Sequence, residues 1–93
     1  MARPRIPRRI DFNPESTYFK PAGIPLRSLE EIIISFEEAE AIKLKDVIGL
    51  EQNDAAKKMG VSQPTFYRIL LIARKKIADA IINGKAIRIE KIK

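Results

Sequence analysis

Residues 55–74, AAKKMGVSQPTFYRILLIAR, decide the fold of this chain. Gly60 lies between two segments whose apolar residues recur at helical spacing, so we interpret it as a tight turn between two helices. Glycine suits such a turn because it adopts positive φ freely, and the small Ala56 lets steeply crossing helices touch. The pattern predicts a helix-turn-helix, a motif whose second helix normally enters the DNA major groove. An ordinary amphipathic helical hairpin is the alternative, since glycine between helices is common.

The second helix carries its own start signal. Ser62 is a good N-cap, because its hydroxyl can accept a hydrogen bond from the backbone N–H of Thr65. Pro64 falls in the first turn, where a missing N–H costs little. Gln63 and Arg68 then lie near the helix start, and both side chains can hydrogen-bond the edges of bases. We therefore expect this turn to face DNA.

The other candidate DNA contacts are of two kinds. Thr65 and Tyr67 are expected to contact phosphate or a thymine methyl group. Cationic side chains are expected to hold the phosphate backbone, and the candidates are Lys57, Lys58, Arg74, Lys75, Arg3, Arg5, Arg8 and Arg9.

Residues 1–10, MARPRIPRRI, hold four arginines and two prolines. Proline keeps the stretch extended, and an extended arginine-rich arm can lie along phosphates or enter a minor groove. A tail without fixed contacts is an equal alternative for Arg3 and Arg5. Arg8 and Arg9 adjoin alternating apolar residues that predict a short strand, so we expect them to be ordered.

The helix that begins at Gln63 is predicted to continue to about Ile82, with Gly84 beyond its end. About 20 residues at ~1.5 Å each give a rod of roughly 30 Å, longer than groove binding requires. The residues at 3/4 spacing are expected to face inward: Phe66, Ile69, Leu70, Ala73, Ile77, Ala80 and Ile81. The far half is apolar on more than one side, so it is expected to pack on the N-terminal loop or on a second subunit.

The net charge of +6 is unevenly distributed. Residues 1–27 carry six basic and two acidic residues, a net charge of +4. Residues 28–54 carry two basic and eight acidic residues, a net charge of −6. Residues 55–93 carry ten basic and two acidic residues, a net charge of +8. A basic region beside an acidic one indicates an oriented polyanion binder, although some of these lysines are solvated surface in any protein.

Composition excludes several classes of function. The chain has no cysteine and no histidine, so disulfides, thiolate metal sites and the commonest general base are absent. We expect no enzyme, because no nucleophile–base pair can be assembled from the usual residues, and we expect no cofactor. No apolar stretch approaches the ~20 residues of a membrane span, and no apolar core follows the basic N-terminus as in a secretory signal. We expect a cytoplasmic protein without a membrane partner.

The remaining segments complete the predicted architecture. Residues 13–28 contain three prolines and predict a rigid loop whose Tyr18, Phe19, Ile24 and Leu26 pack on the core. Residues 29–34 predict a strand. A helix then starts at Ser35 with capping-box spacing and ends at Gly49, and its inner face is expected to hold Phe36, Ala39, Ile42, Val47 and Ile48.

The glutamates around this helix start are Glu30, Glu31, Glu37, Glu38 and Glu40. We assign them to the helix dipole rather than to a metal site, because no other ligand type accompanies them.

Residues 86–92, AIRIEKI, predict a final strand that pairs with residues 8–12, with residues 29–34 or across a dimer. The predicted fold is therefore mainly α. It has a helix-turn-helix three-helix core with a long third helix, and short N- and C-terminal strands form a small sheet. Residues 1–34 supply the arm, loop and strand that pack on the core, and residues 35–93 form the DNA-binding domain.

Most of the chain also resembles a known family. The stretches ARPRIPRR, YFKPAGIPL, LEEIII, SFEEAEAIKLKD, AAKKMGVSQPTFYRIL and ARKKIADAIINGKAIRI resemble the "domain of unknown function 134" proteins. These are small predicted DNA-binding proteins whose helix-turn-helix is similar to the fourth, promoter-reading region of sigma factors. The resemblance implies that the outward residues of GVSQPTFYR contact DNA, namely Ser62, Gln63, Thr65, Tyr67 and Arg68. Some relatives carry a Cys/His-rich or other extension, and these 93 residues contain neither residue type.

The leading functional hypothesis is a sequence-specific binder of double-stranded DNA that regulates transcription. The second is a protein-interaction module whose long helix docks a partner such as RNA polymerase. RNA binding is disfavoured, because the stacking platforms that it uses need more aromatic residues than two tyrosines and four phenylalanines supply. A homodimer is a separate expectation, since a chain of this length buries a modest fraction of its surface.

Overall fold

The computed structural model of the chain describes residues 17–90. The fold is mainly α with a long third helix, as predicted. Its helices are α1 (Phe36–Ile42), α2 (Gln52–Met59) and α3 (Gln63–Asn83), and a π-helical turn (Lys43–Val47) follows α1. Its strands are β1 (Tyr18–Phe19), β2 (Glu31–Ser35) and β3 (Ala86–Glu90), and a 3-10 turn (Leu26–Ser28) precedes β2.

Local signals place the helix ends as the sequence predicts. The Ser35 hydroxyl accepts from the backbone N–H of Glu38 at 3.0 Å, and the Glu38 carboxylate accepts from the backbone N–H of Ser35 at 3.0 Å. This reciprocal pair satisfies two of the orphan N–H groups at the start of α1. At the other end of the core, α2 stops at Gly60 and α3 stops at Gly84, each in the left-handed conformation.

The core lies where α1, α2 and α3 meet. Phe66, Met59 and Leu70 are its largest fully buried apolar side chains. Small residues of α1 and α2 complete the cluster, and its members are Ala41, Leu44, Ala55, Ala56, Met59, Phe66, Ile69 and Leu70. Ala56, the small residue predicted to let the helices touch, is 2% exposed and belongs to this core. Burial of these side chains fixes the orientation of α3 relative to α2.

Three residues predicted to face inward are exposed instead. Val47 and Ile48 are 76% and 56% exposed, because the chain after α1 forms a π-helical turn. The backbone N–H of Ile48 bonds the carbonyl of Lys43, five residues back, at 2.9 Å. This wider turn shifts the phase of the apolar face, so Leu44 stays buried and the next apolar residues point to solvent. Ile81 is 71% exposed because its neighbour Ala80 occupies the buried position on α3.

The sheet joins both ends of the described chain. Its order is β1-β3-β2, with β2 parallel to β3 and β1 antiparallel to it. Of the predicted pairings, the structure shows the one between the final strand and residues 29–34, in a register that places Ile32 beside Ile87. The predicted partner at residues 8–12 lies outside the described residues.

The predicted loop over residues 13–28 needs correction. Within its described part it contains β1 and the 3-10 turn. Tyr18, Phe19 and Ile24 are 39%, 52% and 40% exposed, so the prediction that they pack on the core is wrong. The backbone of β1 is held by β3, and this edge position leaves its side chains accessible to solvent.

Candidate nucleic-acid interface

The α2–α3 turn is built by backbone hydrogen bonds around Gly60. The Gly60 N–H donates to the carbonyl of Lys57 at 3.0 Å, and the Val61 N–H donates to that of Ala56 at 3.1 Å. These bonds satisfy the last carbonyls of α2, and they require the positive φ of 72° that glycine adopts without penalty. The turn therefore sets a fixed angle at which α3 leaves the core.

Two candidate contact residues serve the start of α3. The Ser62 hydroxyl accepts from the Thr65 backbone N–H at 3.3 Å and donates to the Thr65 hydroxyl at 2.9 Å. Ser62 is exposed and Thr65 is half-buried. Both side chains stabilise the N-terminus of α3. Their oxygens therefore lie at the same surface as the backbone N–H groups of the first turn.

The opening turn of α3, residues 63–68, presents polar side chains to solvent. Gln63 and Arg68 are exposed, and Tyr67 is 46% exposed. Gln63 and Tyr67 are four residues apart and therefore lie on one side of the helix. Arg68 follows Tyr67 in the chain and points about 100° further around the helix axis. Phe66, which directly precedes Tyr67 in the chain, is fully buried. The start of α3 is therefore anchored on one face and accessible on the other.

Cations near this turn have no acidic partner in the described chain. None of the ion pairs among residues 17–90 includes Lys57, Lys58 or Arg68, and all three are exposed. Lys57 and Lys58 lie in the last turn of α2, directly before Gly60. Their charge offsets the negative end of the α2 dipole, and the positive end of the α3 dipole follows directly after Gly60, so this end of the molecule is attractive to an anion.

Other cations of the described chain are paired with acidic side chains, some of which come from residues 28–54 and others from α3 and β3. Lys76 contacts Glu38 at 2.9 Å, Lys85 contacts Glu30 and Asp79 at 3.3 and 3.0 Å, and Arg88 contacts Glu31 and Glu90 at 2.6 and 2.8 Å. The carboxylates raise the pKa of Lys85, chiefly through Asp79, and that of Arg88, chiefly through Glu90. Lys57, Lys58 and Arg68, by contrast, remain without such a partner among residues 17–90.

Arg74 occupies an intermediate position on α3. Its guanidinium donates two hydrogen bonds to the Asp46 carboxylate, at 3.0 Å from Nε and 2.6 Å from Nη2. The pair lowers the pKa of Asp46 and raises that of Arg74, mainly through these hydrogen bonds. Arg74 is a predicted phosphate contact, and in this structure its donors at Nε and Nη2 are directed to Asp46. The predicted contact Lys75, one residue along α3, is exposed.

Comparison with known proteins identifies the family. Residues 1–91 match the family described as "Protein of unknown function DUF134". The chain belongs to this family. A UPF0251 protein of Moorella thermoacetica is 63% identical over 90 residues, which cover 97% of this chain and 60% of that protein. One of Desulforudis audaxviator is 58% identical over 90 residues, which cover 97% of this chain and 59% of that protein.

The chain thus spans about three-fifths of the length of these two relatives. No solved structure matches it. The resemblance that the sequence motifs carry is confirmed at the level of the DUF134 family.

No group of three or more Asp or Glu side chains within residues 17–90 is arranged to hold a metal ion. Glu40 is 1% exposed, and its carboxylate lies 3.5 Å from the Lys43 amine, an ion pair within α1 and the π-helical turn. None of the helices within those residues is both long enough and apolar enough to cross a bilayer.

Sequence patterns did not reveal every residue that shapes this surface. Asp46 lies 28 residues from Arg74 in the chain, and no spacing rule links the two. The predicted contacts Arg3, Arg5, Arg8 and Arg9 lie outside the described residues. The structure thus exposes Gln63, Tyr67 and Arg68 near the start of α3, with Lys57 and Lys58 close to them in the chain.

Proposed function

We propose that this chain binds double-stranded DNA sequence-specifically and regulates transcription, with the opening turn of α3 in the major groove. The observation that carries the proposal is the exposure of Gln63, Tyr67 and Arg68 in the first two turns of α3, which buried Phe66 anchors on another face of the helix. A helix-turn-helix reads bases with the N-terminal residues of its second helix, which is where these three residues lie.

The charge distribution supports the same surface. Because the acids of residues 28–54 pair with Lys76, Lys85 and Arg88, the cations left without an ionic partner among residues 17–90 include Lys57, Lys58 and Arg68. Phosphate contacts position a protein on the duplex, and base contacts give it specificity. We assign Lys57 and Lys58 to the first task and Gln63 and Arg68 to the second.

Selection of bound duplexes from a random pool tests the proposal directly. We expect the wild-type chain to enrich one short motif, and Lys57→Ala to weaken binding to all sequences alike. Enrichment of no motif at low salt, together with no shift of random duplex at micromolar protein, would reject DNA binding.

The alternative function is a protein-interaction module that docks RNA polymerase through α3. The observation in its favour is the set of exposed apolar residues on the far half of that helix, with Ile81 and Ile82 at 71% and 78% exposure. Binding of purified polymerase by a chain that shifts no DNA would favour this alternative. Loss of that binding in an Ile82→Asp variant would locate the contact on α3.

A further inference from the structure

We propose that the far half of α3 pairs with α3 of a second copy of this chain, antiparallel and centred on Ile77. The surface concerned consists of Ile72, Lys75, Asp79 and Ile82, which we call the seam. These residues line one shallow concave surface together with Lys76 and Ala78. Of the two predicted partners for the apolar far half of this helix, the N-terminal loop and a second subunit, the proposal selects the second subunit.

The spacing of the seam is that of a short coiled coil. Its residues follow each other at intervals of three, four and three, which places them on one stripe of the helix. The stripe lies opposite the buried face that carries Ile69, Ala73 and Ala80. Ile72 and Ile82 are 45% and 78% exposed, so the isolated chain leaves both ends of the seam in water.

The seam is complementary to itself when one copy is reversed. Residues 72 and 82 are equidistant from Ile77, and so are residues 75 and 79. An antiparallel partner therefore sets Ile72 against Ile82 of the other copy, and Lys75 against Asp79 of the other copy, each twice. A parallel partner would instead set Lys75 against Lys75 and Asp79 against Asp79. Charged residues in the middle of a helix–helix interface fix the orientation and register of the paired helices in this way.

Both charges are available for this pairing. Lys75 is exposed and takes part in no ion pair among the described residues. Asp79 accepts from Asn83 and Lys85 at 2.6 and 3.0 Å, and these bonds lower its pKa and keep it ionised. A carboxylate has about four acceptor sites, so Asp79 can also accept from a lysine of the second copy. The pairing gives Lys75 a role other than the predicted phosphate contact.

The arrangement also fits the proposed function, and this step alone rests on it. The middle of the opening turn lies about 11 residues from Ile77, or ~17 Å along the helix axis. Two antiparallel copies therefore hold their opening turns about 34 Å apart, the separation of successive major grooves on one face of DNA. The seam is only three turns long, so we expect a reversible dimer rather than an obligate one.

Sedimentation of the full chain without DNA, up to about 1 mM, tests the dimer independently of DNA binding. Wild type should show a concentration-dependent monomer–dimer equilibrium. Lys75→Asp and Asp79→Lys each turn both contacts between positions 75 and 79 of the two copies into like-charge contacts. Each substitution alone should raise the dissociation constant of the dimer at least about tenfold. An equimolar mixture of the two variants restores both opposite-charge contacts and should form a heterodimer about as stable as the wild-type dimer.

Arg27→Asp, a charge reversal on the exposed 3-10 turn, is the matched control and should leave dimerisation unchanged. Circular dichroism of each variant checks that it folds. A monomeric wild type, or a mixture that fails to associate although both variants are folded, would overturn the proposal. A dimer that binds no DNA would refute the proposed function and leave this interface standing.

Discussion

Arg68 and Arg74 lie six residues apart on α3, yet the fold gives them different surroundings. Arg68 is exposed and takes part in no ion pair within residues 17–90, whereas Arg74 is held by two hydrogen bonds from its guanidinium to Asp46. An unpaired guanidinium can donate two parallel bonds to a guanine edge, and a paired one must first exchange its partner. At the residue scale, the two arginines are therefore expected to contribute differently to DNA binding.

Arg68→Ala should cost about 1–3 kcal/mol of binding free energy and relax specificity at one base position, because a bidentate base contact is lost. Quantitative binding to the selected site and to its single-base variants measures both effects. Arg27→Ala, which removes an exposed arginine outside the helices, is the control and should change neither. An unchanged sequence preference in the Arg68 variant would exclude this residue from base recognition.

Asp46→Asn should strengthen DNA binding, because it releases Arg74 for a phosphate. We expect up to about a fivefold gain, the usual size of an exposed ion pair, and a salt dependence steeper by about 0.9 in log–log slope. Glu90→Gln removes the same charge next to Arg88 and is the matched control. Equal gains in both variants would show a general charge effect rather than release of Arg74.

The Asp46–Arg74 pair also predicts a pH dependence of stability. Pairing lowers the pKa of Asp46 in the folded state, so its contribution is present above the ordinary aspartate pKa of about 3.9. It is lost as the pH falls through the lowered folded value. Unfolding of wild type and Asp46→Asn should therefore differ at neutral pH and converge in strong acid. A difference that persists unchanged in strong acid would contradict this role.

At the scale of elements, the α2–α3 turn connects stability with binding. Gly60 must adopt φ of 72° for the N–H of Val61 to reach the carbonyl of Ala56. Gly49, after the π-helical turn, has a similar φ of 88°, but it precedes α2 and takes no part in positioning α3. Both glycines thus adopt positive φ, but only Gly60 lies in the turn that positions α3.

Gly60→Ala and Gly49→Ala should each destabilise the fold by about 1–2 kcal/mol, because alanine is strained in the left-handed region. At Gly49 no atom lies within 4 Å of an added Cβ, so its penalty comes from the backbone conformation alone. Chemical denaturation measures both penalties. DNA affinity per folded molecule should fall only for Gly60→Ala, and an equal fall in both variants would argue against a positioning role for the turn.

At the scale of the whole molecule, folding decides which basic side chains are paired with the acidic segment of the sequence. The acidic segment 28–54 supplies Glu30, Glu31 and Glu38 to Lys85, Arg88 and Lys76, and the cations beside the α2–α3 turn keep no ion-pair partner among residues 17–90. A molecule with one basic end binds a polyanion in a preferred orientation.

DNA affinity should accordingly fall by about 10³ between 50 and 200 mM salt if about six phosphates are neutralised. Titration of one duplex at several salt concentrations gives the slope. Lys58→Ala should reduce that slope by about one unit. A slope near zero in the wild type would contradict a phosphate-holding basic end.

The sequence by itself determined the local architecture. Capping by Ser35 and Ser62, the glycine after α2 and the 3.6-residue periodicity of α3 involve groups at most a few residues apart. Such short-range interactions are visible in the order of residues. The candidate opening turn follows from the same signals, because a helix start and its buried anchor Phe66 fix which side chains face outward.

Only the tertiary structure decided the phase of the π-helical turn, the parallel pairing of β2 with β3 and the partner of each cation. Arg74 meets Asp46 across 28 residues, and Arg88 meets Glu31 across 57. Ion pairing depends on distance through space, and many acids along the chain were equally available to each base. Which cations remain for a nucleic acid was therefore fixed by how α1, α3 and the sheet pack together.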